Sequence, residues 1–167
     1  YPGETVSLSI GQGPLAVSPL QLANVAATAA TGFIRQPRLL MRIEGASSGG
    51  MRSYSSDQQP APFGNATREL VARGMAGSVA YGSSWRARHP TVAVGGKTGT
   101  AEKLVGRRYR ADALISSFVG AFPTDAPRYV LLVLIDEPKG NKSTFGYATG
   151  GWVAAPVVGR LVRRIAP

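Results

Sequence analysis

Between residues 91 and 136 three strand-like runs follow one another with no helical pattern between them: 91–100, 116–122 and 128–136. Parallel neighbours need a long crossover, usually a helix, so strands that succeed one another this directly are expected to pair antiparallel. Asp125-Ala126-Pro127 marks the turn between the second and third runs. Residues 101–113 are basic and contain glycine, and read as a longer hairpin loop between the first and second. The third run is apolar throughout, the pattern of a strand covered on both faces.

Helical patterns flank this meander. Ser18 as N-cap, Pro19 at the first helical position and Gly32 as terminator predict a helix over 19–31. Its Leu20, Ala23, Ala27 and Ala30 recur at spacings of three and four and predict the buried face. Residues 37–44 suggest a strand, 45–62 a loop rich in Ser, Gly, Gln and Pro, and a second helix is expected from an Asn65 cap to near Gly82. The segment from Gly151 to Ile165 reads as one helix, with Pro156 in its first turns and a basic last turn that suits the helix dipole. The order predicts an α+β fold, an antiparallel sheet flanked by helices, in a single domain.

Composition narrows the chemistry. The chain has no cysteine, which excludes disulfides and thiolate metal sites, and its one histidine, His89, cannot build a multi-histidine centre. No apolar run approaches the ~20 residues of a bilayer crossing, and Tyr1-Pro2-Gly3-Glu4 does not open an export signal. The net charge of +10 would suit an acidic partner, but the cations are scattered over 35–42, 103–110 and 160–164, with no recognisable nucleic-acid module. They read as a solvated surface, and no nucleic-acid partner is expected. Ser116 and Ser117 lack a nucleophile elbow and read as strand residues; Asp136 and Glu137, as strand neighbours, should point to opposite faces and read as a turn with Pro138.

Residues 92–100, Val-Ala-Val-Gly-Gly-Lys-Thr-Gly-Thr, depart from ordinary strand composition. Strand glycines mark bulges or places where another backbone approaches, and Lys97 and Gly99 share a face under the period-two rule. On an edge strand, an extended ligand could pair with the backbone while Lys97, Thr98 and Thr100 hold an anionic group. A plain turn at Gly95-Gly96 with a solvated Lys97 is the alternative. A phosphate loop is excluded at its first glycine, because position 91 is Thr and no helix opens after Thr100.

Lys97-Thr98-Gly99 resembles one of three motifs of the penicillin-recognising serine transpeptidases and β-lactamases, the others being S-x-x-K and S-x-N. Further segments resemble class B penicillin-binding proteins, in particular the division-type enzyme penicillin-binding protein 3: 9–13 with 17–23, 96–102, 117–123 with 127–129, and 151–157. The resemblance implies a partial β-lactamase/transpeptidase-like fold, with residues 1–167 as the C-terminal portion of the transpeptidase domain. Lys97 would supply positive potential and orient the hydroxyl of the middle motif. Thr98 and Thr100 would bind the terminal carboxylate of a D-alanyl-D-alanine stem peptide or a β-lactam, Gly99 would leave room, and the Thr100 N–H would form half of an oxyanion hole. No metal or organic cofactor is implied. The sequence contains neither S-x-x-K nor S-x-N, so no nucleophile lies in these 167 residues, and the chain alone is expected to be inactive. The implied partners are the missing N-terminal part of the same protein and, for the parent, division-complex proteins on the periplasmic side of the inner membrane. A noncatalytic module gripping peptides along the K-T-G strand stands as the alternative.

Overall fold

The computed structural model describes residues 2–9, 15–44, 51–106 and 108–166. The chain order is α1 (Pro2–Ser9), α2 (Pro19–Thr31), β1 (Phe33–Arg35), β2 (Arg42–Glu44), β3 (Met51–Ser53), β4 (Gln58–Pro60), α3 (Asn65–Ala80), β5 (Gly95–Val105), β6 (Arg108–Phe122), β7 (Tyr129–Asp136), α4 (Gly150–Val153) and α5 (Ala155–Ile165). Single 3-10 turns at Trp85–Ala87 and Lys142–Thr144 precede β5 and α4. The expected α+β architecture is observed: β5, β6 and β7 form an antiparallel sheet in sequence order, and β1–β4 and β2–β3 form small two-stranded ladders.

The sheet has a helical layer on each side. α2 crosses β6 and β7, while the end of α3 approaches β5 so closely that a Cβ on Gly95 would stand 3.3 Å from Ala76 N. On the opposite face, α5 packs on Phe118 and Phe122 through Ala155, Val158 and Val162, and Val79, Ala87 and Val94 complete this core. α5 fits this place by sequence. Pro156 lies in its first turn, where a missing N–H is harmless, and Arg163 and Arg164 lie in the last turn near the negative end of the dipole.

Ser18 caps α2 in a reciprocal capping box with Gln21, and Gly32 closes it in the left-handed conformation at φ 79°. Its expected buried face is only half realised. Of the four expected positions only Ala30 is buried, Ala23 and Ala27 are half-buried and Leu20 is 61% exposed; Ala26 and Thr28 join Ala30 instead, so burial concentrates in the C-terminal half of the helix. α3 begins one residue earlier than predicted: Gly64, in extended conformation, is the N-cap, and Asn65 is already helical. The strand expected over 37–44 shortens to β2, and the segment expected as a loop contributes β3 and β4. Residues 10–13 and 45–50, and Arg107 within the expected basic loop, lie outside the described residues.

The hairpin between β5 and β6 differs most from expectation. Instead of a loop over 101–113, the strands continue to Val105 opposite Arg108, with Gly106 at φ 65° in the turn. A register shift after Glu102 leaves extra residues on β6, so the paired arm extends past the end of β7. β7, read as covered on both faces, is a terminal strand with Leu134 42% exposed. The apolar run alone could not show that β7 has no second strand neighbour among the described residues. The predicted single C-terminal helix is divided at Ala154 into α4 and α5.

Candidate functional site

β5 places Gly95 to Thr100 on a terminal strand whose outer edge pairs with no strand among the described residues. Side-chain alternation divides this segment between two faces. Thr98 and Thr100 face the α4–α5 layer, where they line a cleft of about 290 Å³ together with Ser83, Arg86, Thr149 and Trp152. Lys97 and Gly99 take the other face. Gly99 stands opposite Ser117, and a Cβ there would come within 2.7 Å of Ser117 Oγ.

The backbone of β5 alternates as well. Gly95 O lies 2.4 Å from the place of a Cβ on Gly120, so it faces β6, whereas Lys97 Nζ reaches Thr98 O at 2.8 Å. Because N–H and C=O of one strand residue point to the same edge and successive residues alternate, the N–H groups of Thr98 and Thr100 face outward from the sheet.

Three glycines make the packing around this strand possible. A Cβ on Gly96 would lie 2.3 Å from Phe118 Cζ, so only glycine lets the buried ring lie against β5. A Cβ on Gly150 would lie 2.2 Å from Ser117 O and 2.6 Å from Gly99 O, and one on Gly151 would lie 2.5 Å from Ser83 O. α4 therefore rests directly on the β5–β6 backbone, and the Gly150 N–H donates to Thr100 Oγ1 at 3.2 Å. Across the cleft, Ser83 Oγ and Thr98 Oγ1 are 3.1 Å apart.

Arg86 supplies the cleft's cation. Its guanidinium lies over the ring faces of Trp152 at 3.5 Å and Trp85 at 4.3 Å, and it makes no hydrogen bond or ion pair among the described residues. Tyr147 stacks on Trp152 and Phe145 meets the same indole edge-on, which fixes its orientation. Such a set can hold an anionic group by charge and hydroxyl donors beside an extended ligand that pairs with the strand edge.

The sequence motif thus maps onto one strand, with the Lys97 side chain leaving the face opposite the Thr98 and Thr100 hydroxyls and its Nζ reaching the strand's outer edge at Thr98 O. Arg86, Ser83 and Thr149 were not anticipated. Ser83 to Arg86 and Thr149 to Trp152 are more than 60 residues apart, and no periodicity links them; an arginine beside a tryptophan was the one local sign.

The remaining candidates are structural. Ser116 is fully buried and donates to the Ala148 carbonyl. His89 Nδ1 accepts from the N–H groups of Thr91 and Val92 at 3.3 and 3.1 Å and shapes the loop before β5. Asp136 and Glu137 do converge, against the alternation rule, because Glu137 leaves the strand at φ 47°; Lys103 Nζ lies 2.9 Å from Asp136 Oδ1 and 2.8 Å from Glu137 Oε1. Among the described residues, no group of His, Cys, Asp and Glu could hold a metal ion, and no helix is long and apolar enough to cross a membrane.

The chain is 40% identical to the probable peptidoglycan D,D-transpeptidase FtsI of Caulobacter vibrioides over 96% of its own length, and 32% identical to the stage V sporulation protein D of Bacillus subtilis over 99%. It spans 27% and 25% of those proteins, about a quarter of each. Among solved structures it is similar to penicillin-binding protein PBPA of Mycobacterium tuberculosis, with a TM-score of 0.78 and 28% identity over 96% of this chain and 34% of that one. The imipenem acyl-enzyme complex of M. tuberculosis penicillin-binding protein A gives a TM-score of 0.75 and 27% identity, again over 96% of this chain and 34% of that one. The family model for the penicillin binding protein transpeptidase domain matches residues 2–163. With nearly every described element inside that match, K-T-G on a terminal strand and helices on both faces of the sheet, the chain belongs to the penicillin-binding protein transpeptidase domain family.

Proposed function

We propose that residues 1–167 form the C-terminal portion of a serine-type peptidoglycan D,D-transpeptidase and supply its substrate-gripping strand. The observation that carries this is the edge of β5 left unpaired among the described residues, with outward N–H groups, hydroxyls on one face and a lysine on the other. A D-alanyl-D-alanine stem, or a β-lactam in its place, lies along that edge as an added strand. Thr98 and Thr100 receive its terminal carboxylate. The outward Thr100 N–H is one donor to the oxyanion of the tetrahedral intermediate, a contribution of ~2.7–4 kcal/mol in comparable sites, and the nucleophilic serine's own N–H is the other.

Lys97 raises the positive potential on the face opposite the Thr cleft and orients the hydroxyl of the S-x-N motif. Both that motif and S-x-x-K belong to the part of the parent outside this sequence. The serine attacks the penultimate carbonyl and its proton leaves with the terminal D-alanine; the acyl group then passes from the serine to an amine of a neighbouring stem peptide, and the amine's proton returns to the serine. The parent acts on the periplasmic side of the inner membrane, with division-complex proteins as its partners.

Intact mass under denaturing conditions, after incubation with a labelled penicillin, tests the division of labour. The 17.4 kDa chain is expected to stay unlabelled, and a longer chain carrying S-x-x-K is expected to gain one acyl group on that serine. A stable adduct on the 167-residue chain itself would overturn the assignment.

A further inference from the structure

The proposed carboxylate-binding threonines have no lysine beside them on their face of the strand. Thr98 and Thr100 open into the cleft against α4, whereas Lys97 lies on the other face and bonds to Thr98 O. An anion lodged against the two hydroxyls needs a compensating charge on its own side, since a carboxylate taken from water without one is strongly disfavoured. Arg86 lines that same cleft, half-buried, with its donors unpaired among the described residues and its planar face held on two indoles. Stacking fixes the plane of the guanidinium and leaves its edge donors for a planar partner, the geometry in which arginine recognises a carboxylate bidentately.

We propose that Arg86, positioned by Trp85 and Trp152, is a specificity-determining residue of this site and supplies the cation that receives the ligand's terminal carboxylate between Thr98 and Thr100. This rests on the functional reading above and assigns the charge on the Thr face to a residue outside the K-T-G motif. The specificity that follows is for a free terminal carboxylate over the corresponding amide.

The chain contains two tryptophans, and both touch Arg86. Its intrinsic tryptophan fluorescence therefore reports on this cleft alone. Titration of the 167-residue protein with N-acetyl-D-alanyl-D-alanine should give a saturable change, while the C-terminal amide should bind roughly 10- to 100-fold more weakly, the factor expected when a charge-assisted hydrogen bond is lost. Arg86→Ala should weaken the acid by a similar factor and leave the amide unchanged; Arg86→Lys should restore part of the difference. Equal weakening of acid and amide in Arg86→Ala, or no discrimination in the unaltered protein, would overturn the proposal. If N-acetyl-L-alanyl-L-alanine acid binds as well as the D,D-peptide and still depends on Arg86, the anion site is supported and the stem-peptide reading fails.

Discussion

A glycine can determine how close two layers come, and Gly150 does so at the site. Its Cα sits over the β5–β6 backbone, and an added methyl group would meet two carbonyl oxygens that cannot swing aside. Gly150→Ala should lift α4 from the strand, remove the hydrogen bond to Thr100 Oγ1 and displace Trp152 from Arg86. Overpacking of this kind costs about 1–3 kcal/mol, to be read as a lower denaturant midpoint in chemical unfolding together with an altered tryptophan emission. Unchanged stability and emission would mean that the backbone yields more easily than this packing implies. At this scale the sequence revealed the strand that carries Lys97, Thr98, Gly99 and Thr100, because a lysine and hydroxyls among glycines are rare on an apolar strand. It did not reveal Arg86 or Thr149. Their relevance arises only when the loop before β5 and the start of α4 meet over one face, and neither segment has a spacing that signals it.

Among the elements, α2 and α5 were legible because their ends are written in local chemistry: a Ser-Pro start and a left-handed Gly stop for one, an early proline and a basic last turn for the other. Of the three-residue strands, β2 was legible only as part of a longer expected strand and β1, β3 and β4 were not, since such short ladders carry no usable alternation. The length of the β5–β6 arm was also hidden, because its polar residues read as loop until Lys103 is seen to meet Asp136 and Glu137. Hydrogen bonds first to Glu137 and then to Asp136 raise the Lys103 pKa above its ordinary value. A pKa raised on folding gives stabilisation that is complete below the unfolded-state value and is lost as pH climbs through the folded-state value. In the same arm, Arg110 holds the Asp112 carboxyl below its ordinary value. That contribution is present above the unfolded-state value and is lost as pH falls through the folded one. Thermal unfolding against pH should therefore show a smaller alkaline loss in Lys103→Met than in the unaltered protein, and a smaller acid loss in Arg110→Gln. Both effects should be small and weakened by salt, as expected of exposed ion pairs; curves that superimpose would remove the arm from the stability account.

For the molecule as a whole, the sheet separates two helical layers, and α3 reaches both, with Met75 on one face and Val79 in the core on the other. Met75 and Ala30 line one face, whereas Val158 and Phe118 belong to the core on the other. Met75→Ala and Val158→Ala should each destabilise the protein, and in combination their effects should add within about 0.5 kcal/mol where the two faces pack independently. A larger coupling in a double-mutant cycle would show that the sheet transmits packing changes between layers. The same partition applies to the ligand's surroundings, with the lysine on one side and the hydroxyl cleft on the other. Substitutions that reshape the cleft for a bulkier or differently charged group can then accumulate around Thr149 and Trp152 while the lysine side stays as it is, so recognition of the ligand's tail can diverge under selection without a matching change at its reacting end.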